Sequence, residues 1–358
     1  MTAEHRKVTT RRRIIVVLSM LNAVVVACGG SGNGATGDGT PESLTIVAYD
    51  SFTPPDDAFA TFTEDTGIDV EILRAGDAGT MVSKAVLTSG NPEGDVMWGV
   101  DNTLLQRAVD AGVFDPYVST SVDLQPGLSG VSDIVTPVDY GDVCVNYDIA
   151  ALDAAGLAPP RDFSDLTRPD YRGLLVVPDP TTSSTGLAFM LGTRAEFGDD
   201  WIDYWNDLFD NEVQIVTSWD DAYYAAFSRY GGDRPLVVSY ASSPPAEVIL
   251  AVPPLPDGAP SPTGVAVGTC FRQIEFAGVL SGTDHPDAAR RLVDYLVDEE
   301  FQTMLPESIF VYPANRSVVL PESFRLHAPV IDDPLSLSPD EIAANRDSWL
   351  EEWGAVAR

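Results

Sequence analysis

From residue 44 onward the chain alternates short apolar runs with longer stretches of helical periodicity, and each apolar run stops at a polar residue. Strands are expected over 44–49, 70–73 and 95–100, with helices near 57–65, 81–88 and 102–111. Strand, helix, strand at this spacing leaves no room for tight hairpins. Crossover connections of this length instead make a parallel sheet covered by helices. The pattern restarts with strands at 174–177, 213–216 and 236–239 and a helix from Gly186. Two αβ units result, each a mostly parallel sheet flanked by helices. Two alternating segments, 137–147 and 269–276, read as hinge strands that pass from one lobe to the other. The expected first lobe is 43–138 with 268–305; the second is 139–267 with 306–358. Helices over 285–297, 300–305 and 339–353 close the chain, the last opening on Pro339, Asp340 and Glu341, acids where the helix dipole favours them.

The N-terminus reads as a targeting segment. Arg11, Arg12 and Arg13 precede an apolar run over 14–26 that is short for a membrane span. Val25-Val26-Ala27-Cys28 ends it, and this small residue before a cysteine, with a Gly/Ser/Asn-rich stretch after it, resembles a bacterial lipoprotein signal. Residues 1–27 are then the signal peptide, Cys28 the lipidated first residue of the mature chain, and 28–42 a flexible tether. Thr10-Arg11-Arg12 also carries a weaker twin-arginine reading. The expected location is the outer face of the cell membrane, reached through the lipid anchor only.

With 54 acidic against 21 basic residues and a net charge of −33, the chain lacks the basic face that nucleic acid requires. Cys144 and Cys270 remain besides Cys28, and outside the cytoplasm such a pair favours a disulfide. One lies in each hinge strand, so the bridge would staple the hinge. Their spacing fits no zinc motif, and His285 and His327 are isolated, so neither a metal nor a cofactor is expected.

In open parallel sheets ligands sit beyond the carboxyl ends of the strands. Tyr49-Asp50-Ser51, Ala75-Gly76-Asp77 and Gly99-Val100-Asp101-Asn102 stand at such ends here. In the second unit the ends are followed by Thr182, Ser183, Ser184 and Thr185, by Ser218-Trp219-Asp220-Asp221-Ala222-Tyr223, and by Ser239-Tyr240-Ala241-Ser242-Ser243-Pro244. Hydroxyls ahead of a helix can hold a hydroxyl, carboxylate or phosphate, although ordinary N-capping accounts for one of them. Trp219, Tyr223 and Tyr240 offer flat faces to a heterocycle or a cation, with core packing as the competing role for each. Tyr49 and Phe310 join them if 309–313 lines the same cleft. A fixed cation cannot shed its charge on burial, so its pocket must supply carboxylates or π faces; Asp77 and Asp101 are the candidates, against their alternative role as caps. No constellation of catalytic residues stands out.

Taken in order, Tyr49-Asp50-Ser51-Phe52, 99–105, Asp139-Tyr140-Gly141, the 179–186 loop, 218–223, Ser239-Tyr240 with Ser243-Pro244, and Tyr312-Pro313-Ala314-Asn315 resemble the periplasmic thiamine-binding proteins of ABC transporters. The resemblance covers nearly all of 43–358. It implies a two-lobed class II periplasmic-binding-protein fold that captures thiamine, or its phosphates, and delivers it to a membrane permease. A monomer is expected, and one without enzymatic activity, since Cys144 has an expected disulfide partner in Cys270. Carried over by position, Tyr49, Trp219 and Tyr240 form the aromatic and hydroxyl lining, Phe310 replaces a tryptophan, and Thr182, Ser183 and Ser184 meet a phosphate or hydroxyethyl group. The family's tryptophan after the first strand is missing from 51–59, and Ala246 stands where an aromatic is expected. Two other functions suit the same architecture. One is ferric iron capture through Tyr223 and Tyr224; the other is a thiaminase-like enzyme with Cys144 as nucleophile near Glu275.

Overall fold

A computed structural model describes residues 41–256 and 258–357. The signal segment and Cys28 lie outside the described residues, as does all but the end of the tether.

Among the described residues ten strands form one sheet: β1 (Ser43–Ala48), β2 (Asp69–Arg74), β3 (Val96–Asp101), β4 (Phe114–Asp115), β5 (Thr136–Asp148), β6 (Leu175–Pro178), β7 (Gln214–Val216), β8 (Leu236–Tyr240), β9 (Thr263–Leu280) and β10 (Tyr312–Pro313). The order is β2-β1-β3-β9-β5-β8-β6-β7, with β10 on β5 and β4 on β9. On one flank β2-β1-β3 is parallel throughout; on the other β8-β6-β7 is parallel. The long antiparallel pair β5–β9 runs between them and gives each lobe its inner strand. Every residue of β3 is buried, as helices on both faces require.

β9 is the largest departure from the sequence reading. It is 18 residues, about 60 Å, where only 269–276 is expected. Its first part, Thr-Gly-Val-Ala-Val-Gly, is held as strand by pairing with Val145 to Asp148 of β5. The first helix is also shorter than expected, Ala60–Thr66, because the chain after Pro54 and Pro55 makes turns before it can wind.

Cys144 and Cys270 are joined at an S–S distance of 2.10 Å. The bridge links β5 to β9 beside a register shift between Val143 and Val145, so it fastens the two crossing strands to each other.

Beside β1–β3 the core gathers Leu44, Ile46, Phe52, Trp98 and Phe301, with Trp98 5.0 Å from Phe52 and 5.7 Å from Phe301. Helix Pro286–Leu296 packs here through Ala289, Leu292, Val293 and Leu296, the i, i+3, i+4, i+7 stripe of an amphipathic helix. On the other side helix Ser184–Phe197 is buried along ten consecutive residues from Ser184 to Thr193. Helix Pro339–Val356 starts on an N-cap in which Ser338 accepts from the Glu341 N–H, and it seats Trp353 edge-on against Trp205 at 5.6 Å. Among the described residues no helix is long and apolar enough to cross a membrane.

Candidate ligand-binding site

A cavity of about 260 Å³ opens where the parallel strands end. The β1 and β2 ends bring Tyr49, Asp50 and Asp77; β9 brings Glu275; the start of helix Ser184–Phe197 brings Ser184 and Thr185. The β7 and β8 ends add Trp219, Asp220, Tyr223, Tyr224, Tyr230 and Tyr240, and Phe310 closes the rim.

Tyr49 is set by a glycine. Gly99 bulges out of β3 at φ +90°, and a Cβ there would stand 2.3 Å from the Tyr49 ring. The ring occupies the space a side chain at 99 would need, and its hydroxyl donates to Glu275 Oε2 at 3.1 Å.

On the opposite side Trp219 stacks on Tyr223, with centroids 5.0 Å apart and planes at 19°, and Tyr224 stands edge-on to both. A π turn over Asp221–Ala226 carries the two tyrosines, a widened turn of the kind that recurs at functional sites. The wall is pinned from behind. Buried Glu247 accepts hydrogen bonds from the Tyr223 hydroxyl at 2.7 Å, the Tyr230 hydroxyl at 2.9 Å and Arg229 Nε at 3.0 Å. Trp219 Nε1 donates to Ser239 Oγ at 3.0 Å, and that hydroxyl is 2.8 Å from Ser243 Oγ.

The two sides meet at one tight contact. The Asp77 carboxylate accepts from the Trp219 N–H at 2.9 Å, and the Ser183 hydroxyl and Ser184 N–H also hold it. Beside it the Thr80 N–H donates to the Thr182 carbonyl at 3.1 Å. A Cβ on Gly79 would come within 2.5 Å of that carbonyl oxygen, so the approach depends on glycine.

Asp50, Asp77, Asp220, Glu275 and Glu307 all line the cavity, and among the described residues no Lys, Arg or His does. Burial raises the carboxyl pKa of Asp77, with the Trp219 N–H pulling the other way. It raises that of Asp220 too, reinforced by Asp50 and Asp221. Glu275 is pushed well above the carboxylate range by burial, then by Asp139 and Asp101. Burial holds the Tyr49 and Tyr240 phenols well above their usual value, so both remain hydrogen-bond donors at neutral pH. Such a cavity has the chemistry for a flat, positively charged organic molecule.

Of the sequence-expected residues, Tyr49, Asp77, Ser184, Trp219, Tyr223, Tyr240 and Phe310 line this cavity. Three do not. Asp101 is fully buried and spends its carboxylate on the Thr103 and Leu104 N–H groups, the Thr103 hydroxyl and Gln273. Thr182 turns its hydroxyl to the Thr217 carbonyl at 2.6 Å, and buried Ser183 pairs with Thr185 at 2.9 Å. Both serve the contact between the two sides. Tyr230 and Glu247 carry no signal of a site in the sequence, because each sits in an ordinary aromatic or polar position; Glu275 enters the sequence reading only as the carboxylate near Cys144 in the enzyme alternative.

Two of the expected alternatives meet the geometry poorly. Cys144 is buried and bonded to Cys270, so it offers no thiolate. The Tyr223 hydroxyl points at Glu247, and among the described residues no group of three His, Cys, Asp or Glu side chains stands ready for a metal ion.

The chain belongs to the bacterial extracellular solute-binding proteins, whose family profile matches residues 94–330. It is similar to the thiamine-binding periplasmic protein of Escherichia coli K12, 28% identical across 88% of this chain and 94% of that one. It is also similar to the thiamine-binding periplasmic protein of Brucella abortus, 27% identical across 88% and 92%. A solved structure titled periplasmic thiamin binding protein superposes with a TM-score of 0.77 at 28% identity, covering 88% of this chain and 96% of that one.

Proposed function

We propose that this chain is the substrate-binding component of an ABC transporter that captures thiamine between its two lobes and hands it to the permease. The observation that carries the reading is the cavity itself, lined by stacked aromatics and carboxylates with no lining base among the described residues, in a chain similar over 88% of its length to thiamine-binding proteins. Thiamine is a flat aminopyrimidine joined to a thiazolium whose charge is fixed. The aromatic ring stacks on Trp219, the thiazolium lies toward Tyr49 and the acidic side, and the hydroxyethyl end meets Ser184 and Thr185. A phosphate ester would place a second anion beside Asp77, so the unphosphorylated vitamin is the form this wall accepts best. The binding lobes are 43–138 with 268–305 and 139–267 with 306–358, closing as monomers about the strands fastened by Cys144–Cys270. Cys28 carries the lipid that keeps the exported protein at the outer face of the cell membrane, and the role is binding and delivery without turnover.

The test is Trp219→Ala. Losing the stacking face should weaken thiamine binding by about 1–3 kcal/mol, roughly fivefold or more, in calorimetry on the folded variant. A variant that binds as tightly as the parent contradicts the placement.

A further inference from the structure

Asp101, Glu275 and Asp139 lie side by side across three neighbouring strands: Glu275 of β9 is register partner to Asp101 of β3 and to Asp139 of β5. Glu275 lines the cavity, and Asp139, 1% exposed, sits directly behind it. Asp101 has a full set of donors. Asp139 has none: neither carboxyl oxygen receives an N–H or O–H from the other described residues. Only the Glu275 carboxyl stands against it, and two carboxylates can hydrogen-bond only when one carries a proton. The remaining groups facing Glu275 are the Tyr49 phenol from the β1 end, the Tyr240 phenol from the β8 end and Asp101. Arg272, earlier on β9, is held by Asp142 at 2.6 Å, and Arg346 of the last helix acts on Asp101. Among the described residues no cation is left for the pair.

We propose that Glu275 and Asp139 are the counter-charge of the cavity, and that they exchange a shared proton for the fixed positive charge of the ligand. The inference rests on the thiamine reading above. In the empty cavity the pair carries one proton and one negative charge. When the cation enters beside Glu275 it supplies the missing positive charge, the O–H bond breaks, and the proton leaves to solvent. Burial, with each carboxyl's charge opposing the other's, raises the affinity of the pair for that proton. Affinity for the cation therefore falls as pH drops, by about tenfold per pH unit where a full proton is released. A ligand of the same shape without charge gains nothing from the exchange.

The experiment is calorimetric titration of the folded protein with thiamine at pH 7 in buffers of different ionisation enthalpy. The expected slope of observed enthalpy against buffer enthalpy corresponds to about one proton released per thiamine. Burial raises Asp77, Asp101 and Asp220 as well, so the variant Asp139→Asn isolates the pair: it should still bind thiamine but with a slope near zero. A second variant, Glu275→Gln, should lose more affinity for thiamine than for the uncharged analogue thiochrome; an equal loss for both overturns the counter-charge role. Thiamine bound with zero slope by the parent, or an unchanged slope in Asp139→Asn, overturns the exchange and leaves the thiamine reading standing. No thiamine bound by the parent, checked by equilibrium dialysis, overturns the reading on which it rests.

Discussion

Across the cavity Tyr49, Asp77 and Glu275 face Trp219, Tyr223 and Tyr224, and the two sides are built differently. On the first side charge is concentrated where burial resists it, and hydrogen bonds are scarce behind it: among the described residues Asp139 has no donor, and Glu275 receives only the Tyr49 hydroxyl. On the second side the lining is mostly aromatic, with Asp220 beside the rings, and Glu247 behind them is fully supplied with donors. One side is poised and the other is rigid. A π surface keeps its attraction for a cation without ionising, so rigidity costs it nothing, whereas a carboxylate gains most when the cation that compensates it arrives late. Capture then depends on closing the two sides together, which the contact from Asp77 and Thr80 to Trp219 and Thr182 secures.

If Glu247 organises the aromatic side, Glu247→Leu strands two tyrosine hydroxyls and a guanidinium. Stability in denaturant titration should fall by about 3 kcal/mol, as expected for one partner removed from a buried charged network, and thiamine binding should fall with it. Glu247→Gln keeps one acceptor and should recover most of the loss. If it does not, the wall is held by packing rather than by these hydrogen bonds.

The closing contact can be tested without touching either side's chemistry. Gly79→Ala drives a methyl group into the Thr182 carbonyl, so it should disfavour the closed arrangement and weaken thiamine binding about tenfold while the melting temperature stays close to the parent. Small-angle scattering should show a larger radius of gyration. Unchanged affinity would mean that the two sides bind independently.

A smaller effect separates structural from poised carboxylates. Burial lifts Asp101 from 3.8 to about 6 in the folded chain, so the fold favours its protonated form. That contribution is complete below the unfolded value and is lost as pH rises through about 6, costing about 1 kcal/mol between pH 5 and 7. Asp139 and Glu275 add in the same sense. Asp101→Asn should therefore flatten, without abolishing, the pH dependence of the unfolding free energy, and an unaltered slope would assign it to the other buried carboxyls, Asp77, Asp139 and Glu275 among them.

The parallel flanks were legible because their strands are apolar runs closed by polar residues, a pattern that burial on both faces produces. The first part of β9 was not, since Gly264 and Gly268 bracket it and only its pairing with β5 makes it strand. In the site, Tyr49, Trp219 and Tyr240 were legible for the same reason as the strands: each aromatic stands at or just past the end of an apolar run, where the parallel strands open onto the cavity. Glu275 was hidden because an acidic residue in an alternating strand looks solvent-facing; it meets the cavity because β9 crosses between the lobes. Asp101, read as a lining residue, turned inward because the turn after β3 offers three donors to its carboxylate.

The central claim is that an acidic side and an aromatic side close on one thiamine cation. Titrating the ligand-free protein with thiamine by calorimetry tests it most directly. One thiamine should bind per chain at about micromolar concentration or tighter, weakened by Trp219→Ala and by Glu275→Gln alike. Absence of binding up to about millimolar thiamine, or binding indifferent to both substitutions, would contradict it.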